Sequence, residues 1–303
     1  MQNILGFLSL AIILYLSFRH KFPIFGMAAL EIVSAAKTAI TGGAFEALND
    51  TNNNSTRVRD FPQQLADGSQ PQAHVLSMWD RDTQHGAFFR MKSPLFHDDV
   101  DGIQTSVAAN IVSVDFPMAL GTQVLSPNDK LTMQVNGTAS DDADKTLLAY
   151  YEYLPGTDAR FIDNQVLKLK GSHIVGVQLL ITPTVSEDYS GQRALVADFD
   201  RIRAGYDYAL LGGYVTGNQC STVRLTASEW GNLGIGFPGT IQSGASFSGV
   251  NQSRWFPLLS ELYGTPLIPV FNGSNKNNVL VDVLQNAAHG TCQLTIFCQL
   301  LKK

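Results

Sequence analysis

Charge is scarce in this sequence: Asp, Glu, Lys and Arg make up 16% of its 303 residues, and the net charge is −5. Beyond Arg19–Lys21 and the terminal Lys302-Lys303 there is no cluster of basic residues. A protein that neutralises phosphates needs such a patch, so the composition argues against direct binding of nucleic acid. Cysteine is almost absent. The three present, Cys220, Cys292 and Cys298, are odd in number and show no CxxC spacing. That argues against a disulfide scaffold and for maturation in a reducing compartment. Cys292 and Cys298 share parity with Leu294 and Ile296, which predicts that they point into a core as small apolar residues. Catalytic signatures are missing too: there is no G-x-S-x-G, no H-E-x-x-H and no Walker loop. The chain is read as a non-enzyme with no cofactor.

What the chain does have is turn formers and alternation. Gly, Ser, Thr and Asn are plentiful, which favours β-structure with many turns. One stretch occurs twice. Phe116-Pro117 and Gly121-Thr122-Gln123-Val124-Leu125 precede the alternating sets Leu131, Met133, Val135 and Leu147, Ala149, Tyr151, Tyr153. Near the C-terminus, Phe256-Pro257 and Gly264-Thr265-Pro266-Leu267-Ile268 precede Val279, Val281, Val283 and Leu294, Ile296, Cys298, Leu300. The spacing between matching residues drifts slowly, as two similar units with different loops would make it. Apolar residues at every second position mark strands buried on one face. Each copy therefore ends in two strands joined by a polar loop, 136–144 and 284–290.

Further strands are predicted at Ala87–Met91, Ile103–Val114, Val166–Leu169, Ile174–Thr182, Tyr206–Tyr214 and Val223–Thr226, with Asp188–Arg203 bridging the units. Ser253–Tyr263 reads as a short helix, and Gly239–Gly249 as an exposed loop. Two units of this kind suit tandem sandwiches of the jelly-roll type. A single larger sandwich or barrel also fits.

The N-terminus differs. Ile4–Phe18 is uncharged and strongly apolar, short for a bilayer span, and is followed by Arg19, His20 and Lys21. That charge placement keeps the body of the chain on the cytoplasmic side and argues against a secretory signal. A helix buried against another subunit is the alternative. Membrane contact is expected at Ile4, Leu5, Phe7, Leu8, Leu10, Ile12, Ile13, Leu14, Leu16 and Phe18, with Arg19 and Lys21 at the headgroups. Met27–Ile40, rich in Ala and Ser, reads as a second helix ended by Gly42-Gly43. The expected organisation is an apolar helical arm (1–50), a linker (51–72), a first jelly roll (73–190) and a second (191–303).

Four constellations compete for a chemical role. Gly234-Ile235-Gly236-Phe237-Pro238-Gly239 matches G-x-G-x-x-G, but no helix follows to face a pyrophosphate, so a bulged β-turn is expected. Asp98, Asp99 and Asp101 group three carboxylates without the rest of a calcium loop, so a solvated acidic loop is expected and no metal site is assigned. Asp80, Arg81 and Asp82 with His74 and His85 offer acids and bases, yet nothing fixes a catalytic geometry. Trp79, Trp230 and Trp255 are irregularly spaced and suit packing. Asn-x-Ser/Thr triplets at Asn136, Asn251 and Asn272 accept glycans only in a secreted eukaryotic protein.

With the paired terminal strands at Leu131–Tyr153 and Val279–Leu300, the 188–203 linker and the apolar arm, the chain resembles the double jelly-roll major capsid proteins of membrane-containing icosahedral phages. These include the corticovirus, tectivirus and FLiP-like groups. The second-unit opening, from Asp207 to Gly239, resembles sequences of that group. The resemblance covers most of the chain and is architectural. It implies homotrimers of pseudo-hexagonal outline that contact neighbouring capsid trimers and penton or vertex proteins, and an arm that enters viral membrane lipids. It also implies a virion location after assembly in the host cytoplasm. The long apolar arm departs from many such coat proteins and also suits a membrane-linked minor capsid protein. A membrane-anchored β-sandwich surface protein that binds carbohydrate or protein is the competing expectation; a hydrolase on a β-sandwich scaffold is a third, weaker one.

Overall fold

The computed structural model describes residues 29–37, 39–50, 58–60, 72–82, 86–94, 100–107, 118–119, 124–125, 130–137, 145–154, 160–216, 220–240, 253–285 and 290–302. It is mainly β. The strands up to residue 154 are β1 (Ala29–Lys37), β2 (Glu46–Ala47), β3 (Asn49–Asp50), β4 (Val58–Asp60), β5 (Gln72–Asp82), β6 (Ala87–Lys92), β7 (Ile103–Val107), β8 (Met118–Ala119), β9 (Val124–Leu125), β10 (Lys130–Gly137) and β11 (Lys145–Leu154). Those that follow are β12 (Phe161–Ile162), β13 (Gly171–Ile181), β14 (Asp188–Ala194), β15 (Asp207–Thr216), β16 (Cys220–Thr226), β17 (Ile235–Thr240), β18 (Ile268–Asn272), β19 (Leu280–Gln285) and β20 (Cys292–Leu301). Helix α1 (Asn164–Lys170) precedes β13, and helix α2 (Trp255–Tyr263) lies between β17 and β18.

These strands form four antiparallel sheets. Two are built only from β1–β11: β3-β1-β11-β5-β8, with β9 also on β5, and β2-β10-β6-β7, with β4 also on β10. Two are built only from β12–β20: β12-β18-β15-β20-β13 and β14-β19-β16-β17. The neighbours recur in the same order. β1, β11, β5 and β8 match β13, β20, β15 and β18; β2, β10, β6 and β7 match β14, β19, β16 and β17. The repeated sequence elements fall on matching strands. Leu131, Met133 and Val135 lie on β10, and Val281 and Val283 on β19; Leu147, Ala149 and Tyr151 lie on β11, and Leu294, Ile296 and Cys298 on β20. All of these are buried.

Alternation sorts each strand into an inner and an outer face. In the first pair of sheets, the inward Tyr151 hydroxyl donates to Met91 Sδ on the opposite sheet at 3.8 Å. In the second, Val177, Leu179 and Ile181 share the core with Val223, Leu225, Ile235 and Phe237. All three thiols are buried and reduced. Gln285 Nε2 donates to Cys292 Sγ at 3.0 Å. The Cys220 thiol and that amide hold Cys292 below the usual thiol range against the opposing effect of burial. Burial alone pushes Cys298 up to about 12.

Several expectations need correction. Met27–Ile40 is not a helix: its described part is strand β1, so the helical arm does not extend to residue 50. Every residue from Leu30 to Ala36 is buried, because two different surfaces cover the strand. A strand covered on both faces loses its period of two, and its small residues mimic a helix former. Val166–Leu169 is not a strand but lies in α1, where Asp163 caps the helix by accepting from Val166 N at 2.7 Å. Lys168 and Lys170 suit its C-terminal turn. Asp188–Arg203 does not bridge the sheet pairs. It contains β14, which the expected 190/191 boundary would cut; the chain passes from one pair to the other between Leu154 and Phe161. Residues 1–28, 108–117, 138–144 and 241–252 lie outside the described residues, and with them the apolar segment, Phe116-Pro117 and the 241–249 loop. Among the described residues no helix is long and apolar enough to cross a membrane.

Candidate functional site: the seam between the sheet pairs

Strand β11 is where the two halves meet. Leu147, Ala149 and Tyr151 face their own sandwich, so Leu148, Tyr150 and Glu152 face outward. Beside them on β1, Ile32 lies opposite Tyr150 and Ser34 opposite Leu148. All five outward residues are buried. Ile32, Ser34 and Tyr150 meet the outer face of β14-β19-β16-β17, and Tyr150 also meets helix α2.

The contacts are close. Ile32 N donates to Gly234 O at 2.8 Å, and the Tyr150 hydroxyl donates to Gly236 O at 3.2 Å. A Cβ on Gly236 would sit 3.1 Å from Ile32 Cγ2 and overlap the Val223 carbonyl oxygen. Glycine is what lets Ile32 reach the backbone of β17. The Trp255 ring packs on Tyr150 with centroids 5.8 Å apart and planes tilted by 46°, within the range of favourable aromatic pairs.

A polar clasp lies next to this apolar patch. The Ser34 and Tyr189 hydroxyls share a hydrogen bond of 2.6 Å. The Arg224 guanidinium stacks over the Tyr189 ring, 3.8 Å from its centroid. Arg224 also grips both carboxylate oxygens of Asp282, at 3.0 and 2.7 Å. Asp282 keeps only 5% of its side-chain exposure. A pair this buried gains little over an apolar replacement, but losing one partner strands a charge. Burial raises the Tyr189 and Tyr150 phenols well above their ordinary range, so both stay protonated. Burial likewise raises the Glu152 carboxyl, with the nearby Thr265 hydroxyl working against it.

The residues singled out from the sequence are mostly elsewhere. Ile4–Phe18, Arg19, Lys21, His85, Asp98 and Asp99 lie outside the described residues. Asp101 is exposed on the loop before β7. His74, Asp80 and Asp82 take part in β5, in register with Glu152, Leu147 and Lys145 of β11. Among the described residues no group of three His, Cys, Asp or Glu side chains is placed to hold a metal. The G-x-G-x-x-G run is not a bulged turn: from Ile235 it is strand β17, and its glycine serves the seam. Trp230 is buried and donates from Nε1 to Val270 O at 3.0 Å, and Trp255 packs on Tyr150. Sequence reasoning missed Ser34, Tyr189, Arg224 and Asp282. A charge at Asp282, amid Val279, Val281 and Val283, was the available signal.

No protein-family model matches the chain, and no curated protein matches it. Among solved structures, the chain is similar to the PBSX exported protein XepA, at 13% identity and a TM-score of 0.24, over 92% of this chain and 88% of that one. It is also similar to the major capsid protein P2 of bacteriophage PM2, at 9% identity and a TM-score of 0.20, over 91% of this chain and 98% of that one. Scores at this level do not establish a shared fold.

Proposed function

We propose that this chain is a structural virion protein, a double jelly-roll capsid subunit of a membrane-containing phage. Three copies form a pseudo-hexagonal trimer that tiles an icosahedral shell, with Ile4–Lys21 reaching the membrane beneath. The observation that carries this reading is the repeat: two pairs of sheets with one strand order, joined through a sheet-to-sheet seam that is buried, clasped and made within one chain. Low charge suits extensive lateral contacts, because unpaired charges are costly to bury. An acidic body suits a shell held away from the genome by lipid.

The test is the mass and shape of the purified full-length chain in detergent, by light scattering and electron microscopy. Trimers with a hexagonal outline, or shells, support the reading. A chain that stays monomeric at every concentration and gives no particles overturns it.

A further inference from the structure

Register allows the two halves to be compared residue by residue. Arg224 on β16 lies opposite Asp282 and Gly236. In the first half Arg90 on β6 lies opposite Gln134 and Gln104. Tyr189 lies opposite Leu284 on β19; Phe45 precedes Glu46, whose partner is Val135, so it takes the matching place. The clasp recurs on these positions. Arg90 Nε donates to Gln134 Oε1 at 2.7 Å, and the Arg90 guanidinium stacks over Phe45, 3.8 Å from its centroid. Thus Phe45, Arg90 and Gln134 repeat Tyr189, Arg224 and Asp282. In the second half that clasp grips the first. In the first half Arg90 reaches within its own half instead, donating from Nη1 to Val100 O at 3.4 Å.

The receiving face also has a second copy. Ser34 and Ile32 of β1 correspond to Gln178 and Gly176 of β13, because Gln178 pairs with Thr295 and Gly176 with Phe297 on β20. The first-half face is buried. The second-half face is open: Ile174 is 56% exposed and Leu180 45%. A cleft of about 290 Å³ opens there beside Gln178, Leu180, Tyr214 and Thr295, at the position matching the one where Tyr189 docks on Ser34. Phe88, neighbouring the first-half clasp, is 49% exposed. Bulk is exchanged between the two versions. Within the chain, Ile32 fits against Gly236. On the open faces, Gly176 offers the gap and Gln104, matching Gly236, offers the side chain.

We infer that the open face of β13-β20-β15 binds a second copy of this chain, whose Phe45–Arg90 clasp docks over Gln178 while its Gln104 enters the gap at Gly176. This rests on the capsid reading and names the surfaces that reading needs. The contact is head-to-tail, the kind that closes into rings.

The test uses the full-length chain in detergent, by sedimentation. A Cβ at Gly176 meets its nearest neighbours, the Phe297 ring and the Thr295 methyl, at 3.5 Å, an ordinary contact, so Gly176→Ile is the variant chosen to fill the gap, with the melt of the monomer as its control for folding. The expected result is association weakened by more than about tenfold with unchanged monomer melting. Gln104→Gly added to Gly176→Ile recreates the in-chain pairing and is expected to restore association. Mixing Phe45→Cys chains with Gln178→Cys chains is expected to give a disulfide-linked dimer under mild oxidation by a small-molecule disulfide, which accepts the two electrons and two protons. If wild-type trimers form and Gly176→Ile trimerises equally well, or the mixed cysteine chains do not link, this interface is overturned and the capsid reading stands. If the wild type never associates, both fall.

Discussion

Strands β11 and β20 hold matching places in two pairs of sheets with one strand order, and they differ in what covers them. From Thr146 to Glu152, every residue of β11 is buried. On β20, Leu294, Ile296 and Cys298 are buried while Gln293 is exposed and Thr295, Phe297 and Gln299 are half-exposed. Outward, β11 carries Leu148 and Tyr150, where β20 carries Thr295 and Phe297. A permanently covered face can be apolar at its centre, here with the polar Thr146 and Glu152 buried at its ends; a face that must also meet water keeps more amides and hydroxyls. The same strand order thus serves twice, once for a seam made on folding and once for a face left exposed in the single chain.

The comparison is most open to attack at the two clasps. Asp282→Ala strands the Arg224 charge in the seam and is expected to cost about 3–5 kcal/mol in urea unfolding. Gln134→Ala, the matching change around Arg90, is expected to cost about 1 kcal/mol or less. Equal costs would remove the distinction between a buried and an open clasp. The glycines come next. Gly236→Ala forces a Cβ into Val223 and Ile32 and should lose about 1–3 kcal/mol, whereas Gly176→Ala should be neutral or stabilising by about 0.4–1 kcal/mol; thermal melts of both variants decide. Tyr189→Phe removes only the hydroxyl bonded to Ser34, an expected loss of about 1 kcal/mol.

The smallest effect concerns pH. The Glu152 carboxyl is raised above its ordinary value of 4.5 in the folded chain. The folded state therefore binds this proton more tightly than the unfolded state. Its contribution to stability grows as pH falls from above the raised value toward 4.5, and is lost as pH rises through the raised value. Glu46 has the opposite sign: Lys37 and Thr41 hold it down at about 2, so its contribution is lost as pH falls from 4.5 toward 2. Glu152→Gln should flatten the wild-type slope in unfolding measured between pH 4.5 and 7. An unchanged slope would show that this carboxylate is not the group responsible.

Much of the fold was legible because period-two burial writes itself into sequence. Leu131, Met133 and Val135, the set from Leu294 to Leu300, and helix α2 all stand where their spacing placed them. Strand β1 was illegible for the opposite reason. Ile32 and Ser34 face one surface and Glu31, Val33 and Ala35 another, and all five are buried, so no exposed residue marks an outside. Helix α1 was misread because seven residues are too few to show a period, although Asp163 three residues before Val166 was a readable cap. The seam escaped because its parts are far apart in the chain. Ser34 and Tyr189 become neighbours only when both sandwiches exist, and Gly236 looked like a turn former until Ile32 was placed against it.

The burial of Leu148 and Tyr150 by later strands has a consequence for biosynthesis. The covering residues, from Tyr189 to Asp282, leave the ribosome well after β11 does. At roughly 5–20 residues per second, the nascent chain displays that greasy sheet face for about 6–26 seconds before Asp282 is made. A fragment ending at Leu154 would never cover it. Such a fragment should aggregate or recruit chaperones, while a nascent chain escapes that fate only by finishing translation.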